Sequence, residues 1–203
     1  AIVGVGNCAC SLYQGFTYYK DKETVSGLVK ASIGGYSIHD IRVVAAFDVD
    51  TRKVGKCFKA AILSPPNCTP LFVQDKDLPD GPHVMMGRVL DGVADHMTTY
   101  PEDEGFQVST ADTVDVVHVL KSKEVDILIN YLPVGSQQAT EFYAECCLDA
   151  KVSLLNCIPV FIASNPEWEQ KFVRAGIPLI GDDMKSQFGA SILSQMFQEL
   201  AFS

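Results

Sequence analysis

Short, nearly continuous apolar runs alternate along this chain with longer stretches in which apolar positions recur every three or four residues. The runs Ala1–Val5, Ile41–Phe47, Val125–Leu132, Val152–Asn156 and Ile177–Ile180 read as strands. Their richness in Val, Ile and Leu, without polar alternation, is what strands buried on both faces require. The stretches Ser11–Tyr19, Thr51–Leu63, Thr113–Lys121, Ser136–Ala150, Pro166–Arg174 and Gly189–Leu200 read as amphipathic helices. Asp50 or Thr51 is expected to start the second helix and Ser136 the fourth. Strands and helices alternating in this way predict an α/β protein: a doubly wound parallel sheet with helices on both faces. Between residues 64 and 112 the periodicity fails, and more than half of the ten prolines fall there. This segment reads as an irregular insertion carrying one strand near His83–Val89.

The junction of the first strand and first helix carries the most specific chemistry. Gly4-Val5-Gly6-Asn7-Cys8-Ala9 has the form G-x-G-x-x-A. In the Rossmann-type βα unit, the first glycine allows the tight turn, the second lets backbone approach a pyrophosphate, and the third small residue, here Ala9, keeps helix and sheet close. The N–H groups at the helix start, from Asn7 and Cys8 onward, then face the phosphates. The alternative is that these glycines only shape a buried turn. The second half of the fingerprint is a carboxylate at the end of the second strand, which Asp48 in VVAAFDVD supplies. It stands about twice as far along as the usual twenty or so residues, so an excursion over Lys20–Asp40 is expected in the first crossover. Asp48 either accepts hydrogen bonds from the adenosine ribose or caps a helix. In the first role it would repel a 2′-phosphate, which favours NAD over NADP.

Composition narrows the class. The 203 residues are 47% hydrophobic and 20% charged, which describes a globular chain of one domain, or of one domain and the start of another. Sixteen basic against twenty-five acidic residues give a net charge of −9 with no Lys/Arg cluster, so no nucleic-acid partner is expected. No apolar run approaches the length of a membrane span. Seven cysteines, without metal-type pairing or a secretory leader, point to free thiols and a cytoplasmic protein. His39, His83, His96 and His118 are scattered without ligand spacing. Because the chain starts inside its first strand without methionine, it is expected to be part of a longer natural protein.

The strings AIVGVGNCA, VVAAFDVD, YLPVGS, NCIPVFIASNPEW and GDDMKSQFGAS, in this order, resemble the inositol-3-phosphate synthases of bacterial and archaeal type over essentially the whole chain. The resemblance implies an NAD-binding Rossmann-like domain over residues 1–186, with 187–203 beginning a truncated catalytic and tetramer-forming domain. It implies NAD-dependent cyclisation of glucose 6-phosphate to 1D-myo-inositol 3-phosphate by oxidation at C5, aldol closure and reduction. That reaction is the first step of inositol and inositol phospholipid biosynthesis, and a homotetramer is expected of the full-length protein. The resemblance also implies Lys185 as a catalytic stabiliser of developing negative charge, Asp183 as a ligand of a divalent or monovalent cation, and cofactor contacts from Pro133, Tyr143, Asp182 and Ser186. Asn156 and Pro159 follow a strand end, where open α/β sheets place ligands, and would border the nicotinamide.

Each assignment has a plainer counterpart. Lys185 could be a surface lysine at a helix start, Asp182 and Asp183 could cap the following helix, and Tyr143 could pack in the core. Cys10 and Cys57 depart from the family pattern, Cys57 falling in the second helix. Cys8 and Cys10 are either thiols of lowered pKa beside a helix start or small apolar residues packed against the turn. The residues that would hold the sugar phosphate are expected outside this chain, which by itself is then inactive. Two other functions stay open: the cofactor domain of another NAD-dependent dehydrogenase, and a non-catalytic NAD-binding module.

Overall fold

The computed structural model describes residues 1–20, 27–28, 30–93, 99–101, 104–183, 197 and 200–201. Its sheet has six parallel strands, β1 (Ile2–Val3), β4 (Ala46–Asp48), β5 (Val84–Met86), β6 (Ile127–Asn130), β7 (Ser153–Asn156) and β8 (Leu179–Ile180), in the order β5-β4-β1-β6-β7-β8. A separate antiparallel hairpin, β2 (Ser32–Ile33) with β3 (Tyr36–Ser37), lies in the first crossover. The expected excursion before Asp48 therefore carries structure of its own. Along the sheet, the chain runs outward from β1 through β4 to β5, then returns to the other side of β1 and continues through β6 and β7 to β8. This is a Rossmann-type doubly wound fold. The strand order reverses between β1 and β6, which opens a crevice above their carboxyl ends.

Successive strand residues point to opposite faces, and each face has its own core. Ile2, Ala46 and Val84 face α1 (Asn7–Tyr18) and α2 (Phe58–Ile62), whose Ala9, Cys10, Tyr13, Phe58 and Ala61 complete one cluster. Val3, Phe47, Leu128 and Leu154 face α3 (Val116–Ser122), α4 (Gln137–Ala150) and α5 (Pro166–Ala175). Phe47 is fully buried at the centre of this second cluster; its burial contributes about 2–3 kcal/mol.

Helix boundaries follow local chemistry. Asn165 caps α5 through its side chain, Pro166 occupies the first turn, and Gly176 ends the helix at φ +69°. Asp115 caps α3 by accepting from the His118 N–H. The expected helix over Thr51–Leu63 is not formed as one piece. Gly55 adopts φ +84°, which interrupts the helix, and Cys57 forms an antiparallel bridge with His83. Only Phe58–Ile62 is helical, so Cys57 precedes the helix. Asp50 caps no helix: its buried carboxylate binds Arg52 and the Gln107 N–H. Burial pushes that carboxyl up, but the Arg52 and Gln107 hydrogen bonds outweigh it and hold the group below the usual carboxylate range. The expected strand Ile41–Phe47 is shorter at its start, because Ile41 and Val44 are exposed before the chain enters the sheet at Ala46.

Candidate functional site

The glycine turn sits between β1 and α1 at the point where the strand order reverses. Gly4 adopts φ +85°, and a Cβ there would lie 2.5 Å from the Tyr131 carbonyl oxygen on the neighbouring strand end. Only glycine fits both the dihedral and the approach. Gly6 is different: its φ is −100°, and a Cβ would meet nothing within 4 Å, because the space beside it is the crevice. The helix begins at Asn7, four residues before the position expected from periodicity, with Gly6 as an N-cap that offers no side chain. No acidic residue stands in its first turn. The unfilled space over Gly6 and the uncapped N–H groups of the first turn together suit an anionic group.

Asn7 and Cys8 are exposed at this helix start. The Asn7 Oδ1 accepts from the Cys68 N–H at 2.8 Å and from the Thr69 hydroxyl at 2.9 Å, which ties segment 68–69 to the turn. Ala9 and Cys10 are buried against the sheet. Burial pushes the Cys10 thiol up, against hydrogen bonds with Gln14 and Thr69, so Cys10 packs as a small apolar residue and is not an activated thiol.

Asp48, at the end of β4, is wired into the same turn. Its Oδ2 accepts from the Val5 N–H at 2.7 Å, and its Oδ1 accepts from Val49 at 2.7 Å and Asp50 at 2.9 Å. A carboxylate offers about four acceptor directions, so three backbone donors leave one on Oδ2 for a hydroxyl in the crevice. Lys53 lies beneath, 1% exposed, with its Nζ 4.0 Å from Asp48 Oδ2. It donates to the Val5 carbonyl at 2.8 Å and to Asn67 Oδ1 at 3.0 Å. Burial pulls the Lys53 ammonium down, and Asp48 and Asp50 partly restore it.

The crevice walls are mainly apolar. One wall holds Pro133 and Tyr143, another Arg88, Leu90 and Gly92 from the segment after β5. Tyr143 is buried against Phe47 and Phe142, with ring centroids 6.0 and 5.2 Å away. Its hydroxyl is held well above the ordinary tyrosine range, mainly by burial, which suits a wall and not a proton carrier. Asp91 ties the segment after β5 down: its carboxylate accepts from the Gln138 N–H at 2.7 Å and the Ala139 N–H at 3.0 Å. It thus caps α4, while Ser136, at the expected cap position, turns its hydroxyl to the Pro133 carbonyl. Asp91→Ala is expected to cost about 1 kcal/mol, lowering Tm by about 3 °C. A thermal scan showing an unchanged Tm would mean that this wall holds without its latch.

On the far side of the switch point, buried Asn130 and Asn156 and half-buried Asp182 form a polar chain across β6, β7 and the end of β8. The Asn130 amide donates to Asn156 Oδ1 at 2.9 Å, and the Asn156 amide donates to Asp182 Oδ1 at 2.7 Å. Asp182 also accepts from the N–H groups of Ile162, Ala163 and Ser164 at 3.0–3.1 Å. Four protein donors therefore occupy its carboxylate, and it closes the loop after β7. Pro159 is exposed on that loop, and Asp183 is exposed with φ +54°. Lys185 and Ser186 lie outside the described residues. Among the described residues no three His, Cys, Asp or Glu side chains are grouped to hold a metal ion.

Of the residues expected at the site, Gly4, Gly6, Asp48, Pro133 and Tyr143 line the crevice; Asn7 and Cys8 are exposed at the helix start that follows Gly6, Ala9 is buried against the sheet, and Asn156, Pro159, Asp182 and Asp183 are not among the lining residues. Sequence reading missed Lys53, Asp91 and Asn130. Lys53 and Asp91 reach the site from a broken helix and an irregular segment, where periodicity carries no signal. Asn130 ends a strand, and its companion Asn156 at the next strand end was the only available hint. No described helix is long and apolar enough to cross a membrane.

Similarity to known proteins agrees with this geometry. No family model matches the chain. It is 47% identical over 98% of its length to the inositol-3-phosphate synthase of Corynebacterium glutamicum, and 46% identical over 98% to that of Mycolicibacterium smegmatis. These alignments take in 55% and 54% of the two relatives, so the chain spans about half the length of the curated relatives it matches. The crystal structure of Ari2 superposes with a TM-score of 0.77 at 34% identity, over 98% of this chain and 56% of that one. Over nearly its whole length, then, the chain is similar to inositol-3-phosphate synthases, of whose curated members it spans about half.

Proposed function

We propose that this chain is the NAD-binding portion of an inositol-3-phosphate synthase, the enzyme that converts glucose 6-phosphate to 1D-myo-inositol 3-phosphate. The observation that carries the reading is the uncapped, acid-free first turn of α1 beside the open space over Gly6, with Asp48 one strand away. The N–H groups of Gly6 and of the α1 first turn hold the pyrophosphate. The remaining acceptor position of Asp48 takes a ribose hydroxyl, and its negative charge disfavours a 2′-phosphate. Pro133, Leu90 and Tyr143 exclude water along the crevice. NAD bound there supplies a hydride acceptor that is regenerated within the turnover. Asn156 and Asp182 hold the loop after β7 in shape, and the family resemblance adds Lys185 and Ser186 to the active site. Lys185 stabilises negative charge that develops on substrate oxygens, and Asp183 is available to a cation whose other ligands come from elsewhere in the protein. Sugar-phosphate binding and the aldol proton transfers belong to the part of the family's length that this chain does not span, as does the homotetramer.

The test combines calorimetric titration of the 203-residue chain with NAD and an assay for inositol phosphate from glucose 6-phosphate. NAD binding without product is expected from the chain, and product from a protein of the relatives' full length. Product from the 203 residues alone would overturn the assignment of the chemistry to residues outside them. Net accumulation of NADH with a substrate would favour an ordinary dehydrogenase, because the synthase returns its hydride.

A further inference from the structure

We infer that Lys53 is a positioning residue for the pyrophosphate, acting through the Val5–Gly6 peptide, an inference that rests on the NAD-binding reading. Lysine is seldom fully buried, yet Lys53 is 1% exposed beneath the glycine turn. Its ammonium donates to the Val5 carbonyl at 2.8 Å. The Asn67 amide donates to the same carbonyl at 3.0 Å, and Asn67 Oδ1 accepts from the ammonium at 3.0 Å. On the other side of the residue, the Val5 N–H donates to Asp48. Both polar groups of Val5 are therefore held from below by side chains.

The consequence concerns the next N–H along the chain. The Val5–Gly6 peptide is not among the cis bonds, and in a planar trans peptide the N–H points opposite to the C=O. A carbonyl anchored on Lys53 and Asn67 turns the Gly6 N–H the opposite way, at a peptide whose two residues both line the crevice. A charged donor on the carbonyl also polarises the amide, making that N–H a stronger donor. Lys53 borders the crevice, but its ammonium is taken up by the Val5 carbonyl and Asn67, so its effect on a pyrophosphate is transmitted by this one peptide and by its charge. Asp48 balances that charge from 4.0 Å away, which allows an ammonium to remain beneath the turn. The sequence offers no pyrophosphate-contacting lysine in the fingerprint itself; this one reaches the turn from the segment after β4.

Lys53→Met preserves the length of the side chain and removes its charge. ADP-ribose, which carries the pyrophosphate, and adenosine, which carries no phosphate, are the probes, titrated by calorimetry and, for adenosine, by ligand NMR. ADP-ribose is expected to bind Lys53→Met at least about tenfold more weakly, the scale of one charge-assisted hydrogen bond, and adenosine within about twofold of the unsubstituted chain. Equal losses for both ligands would overturn the inference, since a merely structural lysine would weaken the whole site. Unchanged ADP-ribose affinity would overturn it as well. If the unsubstituted chain binds neither NAD nor ADP-ribose, the NAD reading itself fails, a result separable from the other two. Should Lys53→Met not fold, the buried Nζ of the unsubstituted chain can be followed by ¹⁵N NMR: a shift with ADP-ribose and none with adenosine supports the role, and no shift with ADP-ribose overturns it.

Discussion

Gly4→Ala is expected to unfold or severely destabilise the protein, while Gly6→Ala leaves it folded and blind to NAD. At Gly4 the new Cβ would stand 2.5 Å from the Tyr131 carbonyl oxygen with φ held at +85°. The backbone conformation alone costs about 1–2 kcal/mol, and the clash is with backbone at the centre of the sheet, which cannot yield without parting β1 from β6. A total near 4 kcal/mol is a large share of the stability of a domain this size and lowers Tm by about 10 °C or more. At Gly6 the φ of −100° is open to any residue and the methyl meets no protein atom. Its thermal unfolding should match the unsubstituted chain within about 0.5 kcal/mol. The methyl would instead occupy the approach to the helix N-terminus, and the Kd for NAD should rise by about a hundredfold, by analogy with the loss of one close anionic contact. Thermal scans and calorimetry on the two variants check both halves. A Gly6→Ala protein that binds NAD normally would remove the glycine turn from the cofactor site.

Asp182→Ala carries the second large effect. The substitution leaves the N–H groups of Ile162, Ala163 and Ser164 and the Asn156 amide without their acceptor. Of these donors only Ile162 and Asn156 are buried, Ala163 being half-buried and Ser164 exposed; an unsatisfied buried donor costs about 1–3 kcal/mol, so a loss of about 2–4 kcal/mol is expected. The loop after β7 should then exchange its amide protons far faster, and Tm should fall by about 10 °C. Asp182→Asn, which keeps one oxygen, should lie between. Hydrogen exchange at residues 162–164 and a thermal scan separate this role from that of a direct cofactor contact: reduced NAD affinity with an unchanged Tm would mean that Asp182 serves the ligand and not the loop.

Much of the architecture was legible because it depends on local pattern. The runs around Ile2, Ile127, Leu154 and Leu179 are apolar on both faces, and a strand flanked by helices has no polar face to show. Helix α5 was readable to within a residue because Asn165, Pro166 and Gly176 mark its ends by backbone chemistry. The helix expected at Thr51 was misread since its amphipathic spacing persists through Gly55, where φ +84° ends any helix. Asp50 looked like a helix cap because an acidic residue at a strand end commonly is one; its carboxylate is claimed instead by Arg52, two residues on, and by Gln107, 57 residues away. Ser136 was displaced as a cap by Asp91 for the same reason.

By itself, then, the sequence determined the class of fold, the place of the glycine turn and the carboxylate beside it. Gly4, Gly6 and Asp48 act through their own backbone conformation or their position at a strand end, properties that neighbouring residues specify. Only the tertiary structure decided which strands are neighbours, and so that the crevice opens between β1 and β6. It also decided that Asp182 spends its carboxylate on a loop, that Asp91 latches a wall of the crevice, and that Lys53 lies under the glycine turn. Those roles are hydrogen bonds and charge contacts between residues distant in the chain. Such contacts exist only once the sheet has brought the segments together, and no local pattern encodes them.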